Sequence, residues 1–296
     1  MKTLWELMAW VEDKGRFLSL TDYSDFTKAY LEFVTSGLQA TVIAQNEHNY
    51  KFFQYGRDGE YNVTRPINDD IFLSFEDYER IGKGFLELLA NIRDIADKDC
   101  LRNQINQYVY TTQQSIGAAL DALPFSRTNK SRKLNGDLFE FMVRLLLKEI
   151  GLEVCSKTIR LPVPGSSEVM SFQHDLVLET QGEVKAIGSV KTSSKDRLDK
   201  VFMDKLMYDR LTRKKIPHFS VFLHDVQRAG KEPQFKVGQT FLSGHFKAYS
   251  IALCPLDGVY CCDVRPIMKS DPLISRYVKS LDHLLVSDIW RFSETE

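Results

Sequence analysis

The strongest constraint on the fold lies in residues 171–191, where two runs of alternating apolar and polar side chains flank the pair Gln181-Gly182. Such alternation is typical of β-strands that bury one face, and a polar residue followed by glycine between two strands predicts a tight turn. We therefore expect a β-hairpin with strands over residues 171–179 and 183–191.

An acid of the first strand and a lysine of the second strand meet in this hairpin if both side chains lie on the same face of the sheet. Side chains of like parity share a face of a strand, so Asp175 is expected with Gln173 and Val177. By the same rule, Lys191 is expected with Ser189. A carboxylate with an ammonium group nearby suits a divalent metal ion and an anionic substrate.

These residues resemble the core of the PD-(D/E)xK nucleases, the superfamily that includes most type II restriction endonucleases. Asp175 matches the first acid of that motif and Lys191 matches its lysine, whereas His174 replaces the proline. Ser189 stands where the second acid usually lies. The resulting Ser189-Val190-Lys191 resembles the SxK branch of restriction enzymes, many of which read sites built on CCGG, and whose missing acid comes from the following helix.

Two carboxylates are candidates for the missing acid. In the SxK branch about thirteen residues separate the lysine from the helical acid. Counted from Lys191, that spacing falls on Lys205, so the candidate acid Asp204 lies one residue before the expected position. Glu140 is the alternative, because the resembled superfamily often has an acid on the preceding helix. The resemblance implies Mg²⁺ as the cofactor, Asp175 with Asp204 or Glu140 as metal ligands, and a catalytic set of Asp175, Lys191, Ser189, Asp204 and Glu140.

The segment KTSSKDR at residues 191–197 is dense in hydroxyls and cations just before a predicted helix. Backbone donors, hydroxyls and cations together suit a phosphate or a base edge, although a plain helix cap at Ser194 would also explain the pattern. Arginine has the best shape for bidentate contact with guanine. The expected DNA-binding residues are Ser193, Ser194, Lys195, Arg197, Arg210, Arg213 and Arg228. Residues 227–244, with three glycines, are expected to form a DNA-contacting loop.

The charge distribution predicts a division of the chain. Residues 1–125 hold 12 Lys and Arg against 19 Asp and Glu, whereas residues 191–236 hold 12 against 6. Between them the segment SRTNKSRK at residues 126–133 is basic and acid-free, and it is predicted to be a linker. We expect a mainly helical region at 1–125, for dimerisation or for embracing DNA, and a nuclease core at 126–296. Single charges in these segments are also explained as solvated helix faces.

Residue spacing predicts the order of the elements. In the N-terminal region it indicates helices over 22–45, 74–96 and 101–120, with a small hairpin over 50–63. After the predicted linker it indicates a helix that Gly151 ends, a strand over 152–161, the central hairpin, a helix over 196–213, and buried strands over 218–223 and 249–254. This order predicts an α/β fold with a mixed central sheet flanked by helices.

Composition and motifs exclude several other classes. With 296 residues and 43% hydrophobic content the chain can bury a large core, and it has neither a bilayer-spanning run nor a signal-peptide pattern, which predicts a cytoplasmic protein. The five cysteines form no CxxC pair, and the common nucleotide-binding, esterase and zinc-protease motifs are absent.

The combined prediction is a Mg²⁺-dependent type II restriction endonuclease that hydrolyses both strands of DNA at a short specific site as a homodimer or homotetramer. A repair or recombination nuclease of the same fold is one alternative. The other alternative is a DNA-binding module whose catalytic site has decayed, which the serine at position 189 keeps open.

Overall fold

The computed structural model describes residues 1–57, 60–195, 197–230 and 234–294. They form two compact units, each assembled from separate stretches of the chain. The first unit contains Met1–Leu88, Asn103–Leu145 and Val226–Thr240, and the second contains Leu89–Arg102, Leu146–Asp225 and Phe241–Glu296. None of the helices in the described residues combines the length and the hydropathy needed to cross a bilayer.

The helices and strands follow one another along the whole chain. The helices are α1 (Leu4–Glu12), α2 (Leu20–Gly37), α3 (Phe75–Gly82), α4 (Phe85–Ala90), α5 (Asp99–Asp121), α6 (Thr128–Glu149), α7 (Leu198–Thr212), α8 (Ser243–Ala252), α9 (Pro266–Ser270), α10 (Ile274–Tyr277), α11 (Leu281–His283) and α12 (Ile289–Glu294). The strands are β1 (Ala40–Ile43), β2 (Tyr50–Arg57), β3 (Glu60–Val63), β4 (Ile67–Asn68), β5 (Val154–Pro162), β6 (Val169–Thr180), β7 (Glu183–Ser193), β8 (His218–His224), β9 (Val226–Ala229), β10 (Lys236–Gln239), β11 (Gly258–Cys261) and β12 (Val278–Ser280). Short turns of other helical types lie at Lys14–Arg16, Ile92–Ile95, Phe125–Arg127 and Leu284–Asp288.

The first unit is built around α5. Of residues 105–120 all except residue 107 are buried, as expected for a helix enclosed on every side. Some of its polar side chains have partners inside the core, since Gln113 Nε2 donates to Asn135 Oδ1 of α6 at 2.9 Å. Within the described part of the chain, Gln113 Oε1, Gln114 Oε1 and the Ser115 hydroxyl accept or donate no hydrogen bond. Strands β1, β2 and β3 form an antiparallel sheet, and β4 pairs with β2.

A late segment of the chain completes the core of this unit. The hairpin of β9 and β10 contributes Val226, Phe235 and Val237 to a cluster that also contains Tyr50 and Phe52 of β2. The rings of Phe52 and Phe235 lie 5.7 Å apart. Backbone hydrogen bonds join the same parts, because the amide of Gln45 donates to the carbonyl of Phe235 at 3.0 Å.

The second unit contains a six-stranded sheet in the order β12-β11-β8-β7-β6-β5. Strands β5, β6 and β7 are antiparallel neighbours, whereas β7, β8, β11 and β12 run parallel. Helices pack on both faces: the Tyr208 ring of α7 lies 5.3 Å from His218, and the Phe292 ring of α12 lies 5.6 Å from Phe219. The predicted α/β class, with a mixed sheet between helices, is confirmed.

The central hairpin is confirmed. Its turn has positive φ at both Gln181 (55°) and Gly182 (80°), the conformation that two-residue hairpin turns prefer because it matches the twist of the strands. The register of the two strands shifts by one residue near the turn. Leu178 pairs with Ala186 and Glu179 pairs with Val184, so Lys185 is an additional residue in β7.

Several predicted elements are wrong. The basic segment 126–133 is no linker, since it leads into α6, where the buried Ser131 hydroxyl donates to the Leu120 carbonyl at 3.0 Å. The apolar run at 249–254 begins in α8, which ends at Ala252, and it does not form a strand. The buried residues of this helix, Phe246 and Ser250, lie one turn apart on the same side. In residues 227–244 the chain forms β9, β10 and the start of α8, with 231–233 outside the described residues.

Helix boundaries in the N-terminal region also differ from the predictions. The helix expected over 22–45 ends at Gly37, and the next apolar residues form β1. The helix expected over 74–96 is divided into α3, α4 and a short turn, with Gly82 and Gly84 at the first break. The predicted start of α7, Asp196, lies outside the described residues.

Gly188 in β7 allows close packing in the middle of the sheet. A Cβ atom at this position would lie 2.6 Å from Phe219 Cζ and 2.9 Å from Leu176 Cδ1. We expect Gly188→Ala to lower the free energy of unfolding by about 1–3 kcal/mol, the usual cost of overpacking a core. Urea titration would measure this change in the free energy of unfolding. The control is Gly136→Ala, because a Cβ atom at Gly136 would meet nothing within 4 Å. Alanine at this helical position should stabilise the protein by up to about 1 kcal/mol. Equal unfolding midpoints for Gly188→Ala and the wild type would contradict the prediction.

Candidate functional site

The site is built where β6 and β7 part. Their pairing ends at Leu176 and Gly188. Beyond that point β6 continues beside β5, whereas Ser189 and the following residues of β7 continue beside β8. The two strands therefore diverge at Asp175 and Ser189, at the end of β7 that carries Lys191.

Asp175 connects the two diverging strands. Its Oδ2 accepts a hydrogen bond from the backbone amide of Val190 at 2.9 Å, and the Lys191 ammonium donates to the same atom at 2.5 Å. The side chains of Asp175 and Lys191 are 15% and 25% exposed, so both reach solvent from a largely enclosed position. A carboxylate and an ammonium are thus held together where two inner strands of the sheet diverge.

The predicted grouping of Asp175 with both Gln173 and Val177 on one face is wrong, although the predicted contact between Asp175 and Lys191 is present. Cys155 pairs with Val177 and Lys157 pairs with His174, so Asp175 and Leu176 together stand opposite the single residue between them in β5. This β-bulge reverses the parity of β6. As a result, Gln173 and Val177 lie on opposite faces, and Asp175 reaches Lys191 because the strands have parted.

Asp204 belongs to the same unit as Asp175 and Lys191. It lies in α7 with 14% of its side chain exposed, and Lys200 donates to its Oδ2 at 2.5 Å. Burial lowers the pKa of His174, and the charges of Asp204 and Asp175 both act against that shift. Two carboxylates, one from the sheet and one from α7, therefore lie within electrostatic range of the same imidazole.

The other two catalytic candidates occupy different settings. Ser189 pairs in register with Ser220 of β8, at the point where β7 leaves β6. Glu140 lies in the part of α6 that belongs to the first unit, and it is not without interaction partners. The structure brings Asp175, Lys191 and Ser189 together at one strand divergence, with Asp204 on the helix that follows.

Lys205, on which the strict motif offset falls, has a structural role. It is buried, and its ammonium lies 3.0 Å from Asp257 Oδ2 and 3.4 Å from the Ile216 carbonyl. Asp257 Oδ2 also accepts from the His218 amide at 2.7 Å. Lys205 thus fixes α7 to the start of β8, a contact that no sequence motif indicated.

The residues present suit an ion that needs few protein ligands. Among the described residues, no three His, Cys, Asp or Glu side chains converge as a ready-made metal site. Mg²⁺ commonly binds proteins through one or two carboxylates and completes its shell with water and substrate phosphates. The carboxylate of Asp175, joined by one further acid, fits that donor set.

The predicted DNA-binding residues are spread over more than one place. Ser193 ends β7 in register with His224, and its hydroxyl accepts from the Lys195 amide at 3.1 Å. Arg197 occupies the position before α7 and makes no side-chain cap, and Ser194 does not cap the helix either, so the alternative explanation by capping is wrong. The segment after Lys191 therefore presents the half-buried Ser193 and the exposed cations Lys195 and Arg197 near the start of α7, whereas Ser194 is buried.

The remaining arginines lie elsewhere. Arg210 and Arg213 are at the far end of α7, and a helix of 15 residues is about 22 Å long. Arg228 belongs to the first unit, where its guanidinium donates to the Val63 carbonyl at 2.5 Å and lies 6.0 Å from the Phe235 ring. Within the second unit, the length of α7 therefore separates Arg210 and Arg213 from Arg197.

His218 makes the stability of the protein depend on pH. Burial lowers its pKa to about 3, and the imidazole is therefore neutral in the folded protein. The unfolded chain takes up a proton below about pH 6.5, so stability is retained above that pH and is lost progressively as the pH falls toward 3. We expect a loss of about 2 kcal/mol from His218 between pH 6.5 and 5.

Urea unfolding of the wild type and of His218→Gln across this pH range would measure the effect. The variant should show a smaller decrease in unfolding free energy, because it lacks the titrating group. Parallel curves for the two proteins would contradict the prediction.

The comparisons with known proteins agree with this architecture. No family model and no curated protein sequence matches the chain. The crystal structure of the type IIP restriction endonuclease Kpn2I superposes with a TM-score of 0.72, covering 98% of this chain and 97% of that one at 18% sequence identity. This chain has a restriction-endonuclease-like fold. At this identity the likeness concerns the fold, and it extends through both compact units.

Proposed function

We propose that this protein is a Mg²⁺-dependent type II restriction endonuclease that hydrolyses both strands of DNA at a short specific site. The observation that carries the proposal is the meeting of Asp175 and Lys191 where β6 and β7 part. In the transition state of phosphodiester hydrolysis, extra negative charge develops on the oxygen atoms bonded to phosphorus. An ammonium held beside a metal-binding carboxylate is suited to stabilise that charge.

Each residue has a defined task in this proposal. Asp175 binds the metal ion through its carboxylate, and Lys191 contacts the scissile phosphate and orients the attacking water. Ser189 cannot replace a carboxylate as a ligand, so a second acid is needed. Asp204 is the better candidate, because it is in the same unit and its charge acts on the imidazole next to Asp175.

Magnesium, when bound, would activate water and stabilise charge on the phosphate. The ammonium of Lys191 now occupies one oxygen of Asp175. Binding of a cation to that carboxylate would compete with this ion pair and make the ammonium available to the phosphate.

Recognition of DNA is proposed for the segment after Lys191 and for α7. Ser193, Lys195 and Arg197 would contact phosphates or base edges near the cleavage site, whereas Ser194 is buried. Arg210, Arg213 and Arg228 remain further candidates. A twofold-symmetric target calls for two copies of the site, which we propose are supplied by a homodimer or by a homotetramer.

The experiment is digestion of unmethylated DNA from several unrelated phages with the purified protein, with Mg²⁺ and with EDTA. Discrete fragments that require Mg²⁺ and whose ends share one short sequence are expected. A continuous smear, or nicking only at branched DNA, would favour a repair nuclease. Binding without any cleavage would indicate a decayed site.

A further inference from the structure

The first unit has an exposed basic surface that the proposed active site does not use. Four cations lie at the beginning of α6 or just before it, in the acid-free residues 126–133. The turn at Lys14–Arg16 lies against the same helix, because the Lys14 ammonium is 2.7 Å from Asp137 Oδ2. We name this group the α6 basic surface, and it consists of Lys14, Arg16, Arg127, Lys130, Arg132 and Lys133.

Acids neutralise only part of this surface. Glu12 pairs with Arg127 at 3.2 Å and with Lys130 at 2.7 Å, and Asp137 pairs with Lys14. Within the described part of the chain, Arg132 and Lys133 form no ion pair, and both are exposed. The contrast is local, because residues 1–125 carry 12 cations against 19 acids.

One of these cations, Lys130, lies in the first turn of α6, and Arg132 and Lys133 follow it in the next turn. The first turn of a helix carries a partial positive charge, which favours acids and disfavours Lys and Arg. The first turn of α6 contains no acid. A bound polyanion would reduce the repulsion among these charges.

The surface is held in a fixed shape. Ser131 is buried between the exposed cations and donates to the Leu120 carbonyl at 3.0 Å, and the neighbouring Leu134 is buried as well. Arg16 lies with its guanidinium 4.4 Å from the Trp10 ring. The charges are therefore presented by packed elements, which limits the entropy lost on binding.

We infer that the α6 basic surface binds the sugar-phosphate backbone of double-stranded DNA, an inference that rests on the proposed function. Lysine and arginine side chains that neutralise phosphates release condensed counterions, and this makes binding depend on salt and not on sequence. The α6 basic surface would then contribute affinity and orientation, while sequence is read elsewhere.

The test is the salt dependence of binding to a labelled random-sequence duplex of about 30 base pairs, followed by fluorescence anisotropy without divalent metal. Each phosphate contact contributes about 0.9 to the slope of log K against log salt. The double variant Arg132→Ala/Lys133→Ala should lower that slope by about 1.8, which corresponds to about 60-fold weaker binding at 0.1 M salt. The matched control is Arg80→Ala/Lys83→Ala, which removes two exposed cations in the same unit, one in α3 and one directly after it.

The outcomes separate the two proposals. A lower slope for the Arg132/Lys133 variant, with the control and the thermal midpoint unchanged, would support the inference. An unchanged slope, or an equal decrease in the control, in a wild type that cuts DNA into discrete fragments would overturn the inference and leave the proposed function standing. A wild type that neither binds nor cuts DNA would overturn both.

Discussion

Replacing Lys191 with alanine is expected to slow DNA cleavage by about 10² to 10³-fold, because it removes the ammonium that we propose stabilises the developing phosphate charge. Asp175→Asn should reduce cleavage at least as strongly. The amide oxygen of asparagine can still accept the hydrogen bond from the Val190 amide that Asp175 accepts at 2.9 Å, so the local backbone is preserved while the negative charge is removed. Single-turnover cleavage of plasmid DNA with excess enzyme would measure both effects.

A suitable control is Lys157→Ala, which removes another lysine of the same sheet that pairs with an acid, Glu179. This variant should cut DNA at the wild-type rate, since an exposed ion pair contributes little to stability. Thermal unfolding of all three variants would establish that they are folded. Cleavage by folded Lys191→Ala within threefold of the wild type would exclude the proposed role of this lysine.

Replacing Asp204 with asparagine is expected to reduce cleavage by about 100-fold and to raise the Mg²⁺ concentration for half-maximal rate, because a hard oxygen ligand loses its charge. Glu140→Gln should have a smaller effect, below about tenfold. Single-turnover rates measured over a range of Mg²⁺ concentrations would separate a defect in metal binding from a defect in chemistry.

Lys200→Ala separates the role of the Asp204 carboxylate from the role of its ion pair. The Lys200 ammonium lies 2.5 Å from Asp204 Oδ2 and is largely exposed, so its removal leaves the carboxylate in place. We expect near-wild-type cleavage from this variant. A large loss in Glu140→Gln together with normal cleavage by Asp204→Asn would assign the second acid to α6.

The central hairpin and the class of the fold could be predicted from sequence because their signals are local. Alternation over residues 171–191 depends on immediate neighbours, and the turn after Gln181 depends on Gly182, which adopts positive φ without a steric penalty. The proximity of Asp175 and Lys191 was also predicted, but from an alternation that the β-bulge interrupts. The presence of the bulge depends on pairing with β5, and nothing in the sequence of β6 alone indicates it.

The predictions that failed depend on contacts between distant parts of the chain. The basic segment at 126–133 has the composition of a loop, yet a buried Ser131 and the packing of α6 against α5 make it helical. Likewise, the run at 249–254 has strand-like composition, but it packs against α7, where the Phe202 ring lies 5.5 Å from the Tyr249 ring. Whether Asp204 or Glu140 completes the site depends on tertiary distance, which spacing along one chain does not give.

The contribution of β9 and β10 to the first unit sets an order of events during synthesis. Tyr50 and Phe52 find their partners Phe235 and Val237 only after nearly two hundred further residues have left the ribosome. Until then, the apolar side of β2 must remain uncovered or be shielded by a chaperone. A core residue that is made early, such as Phe52, therefore reaches its native packing only after Phe235 has been synthesised.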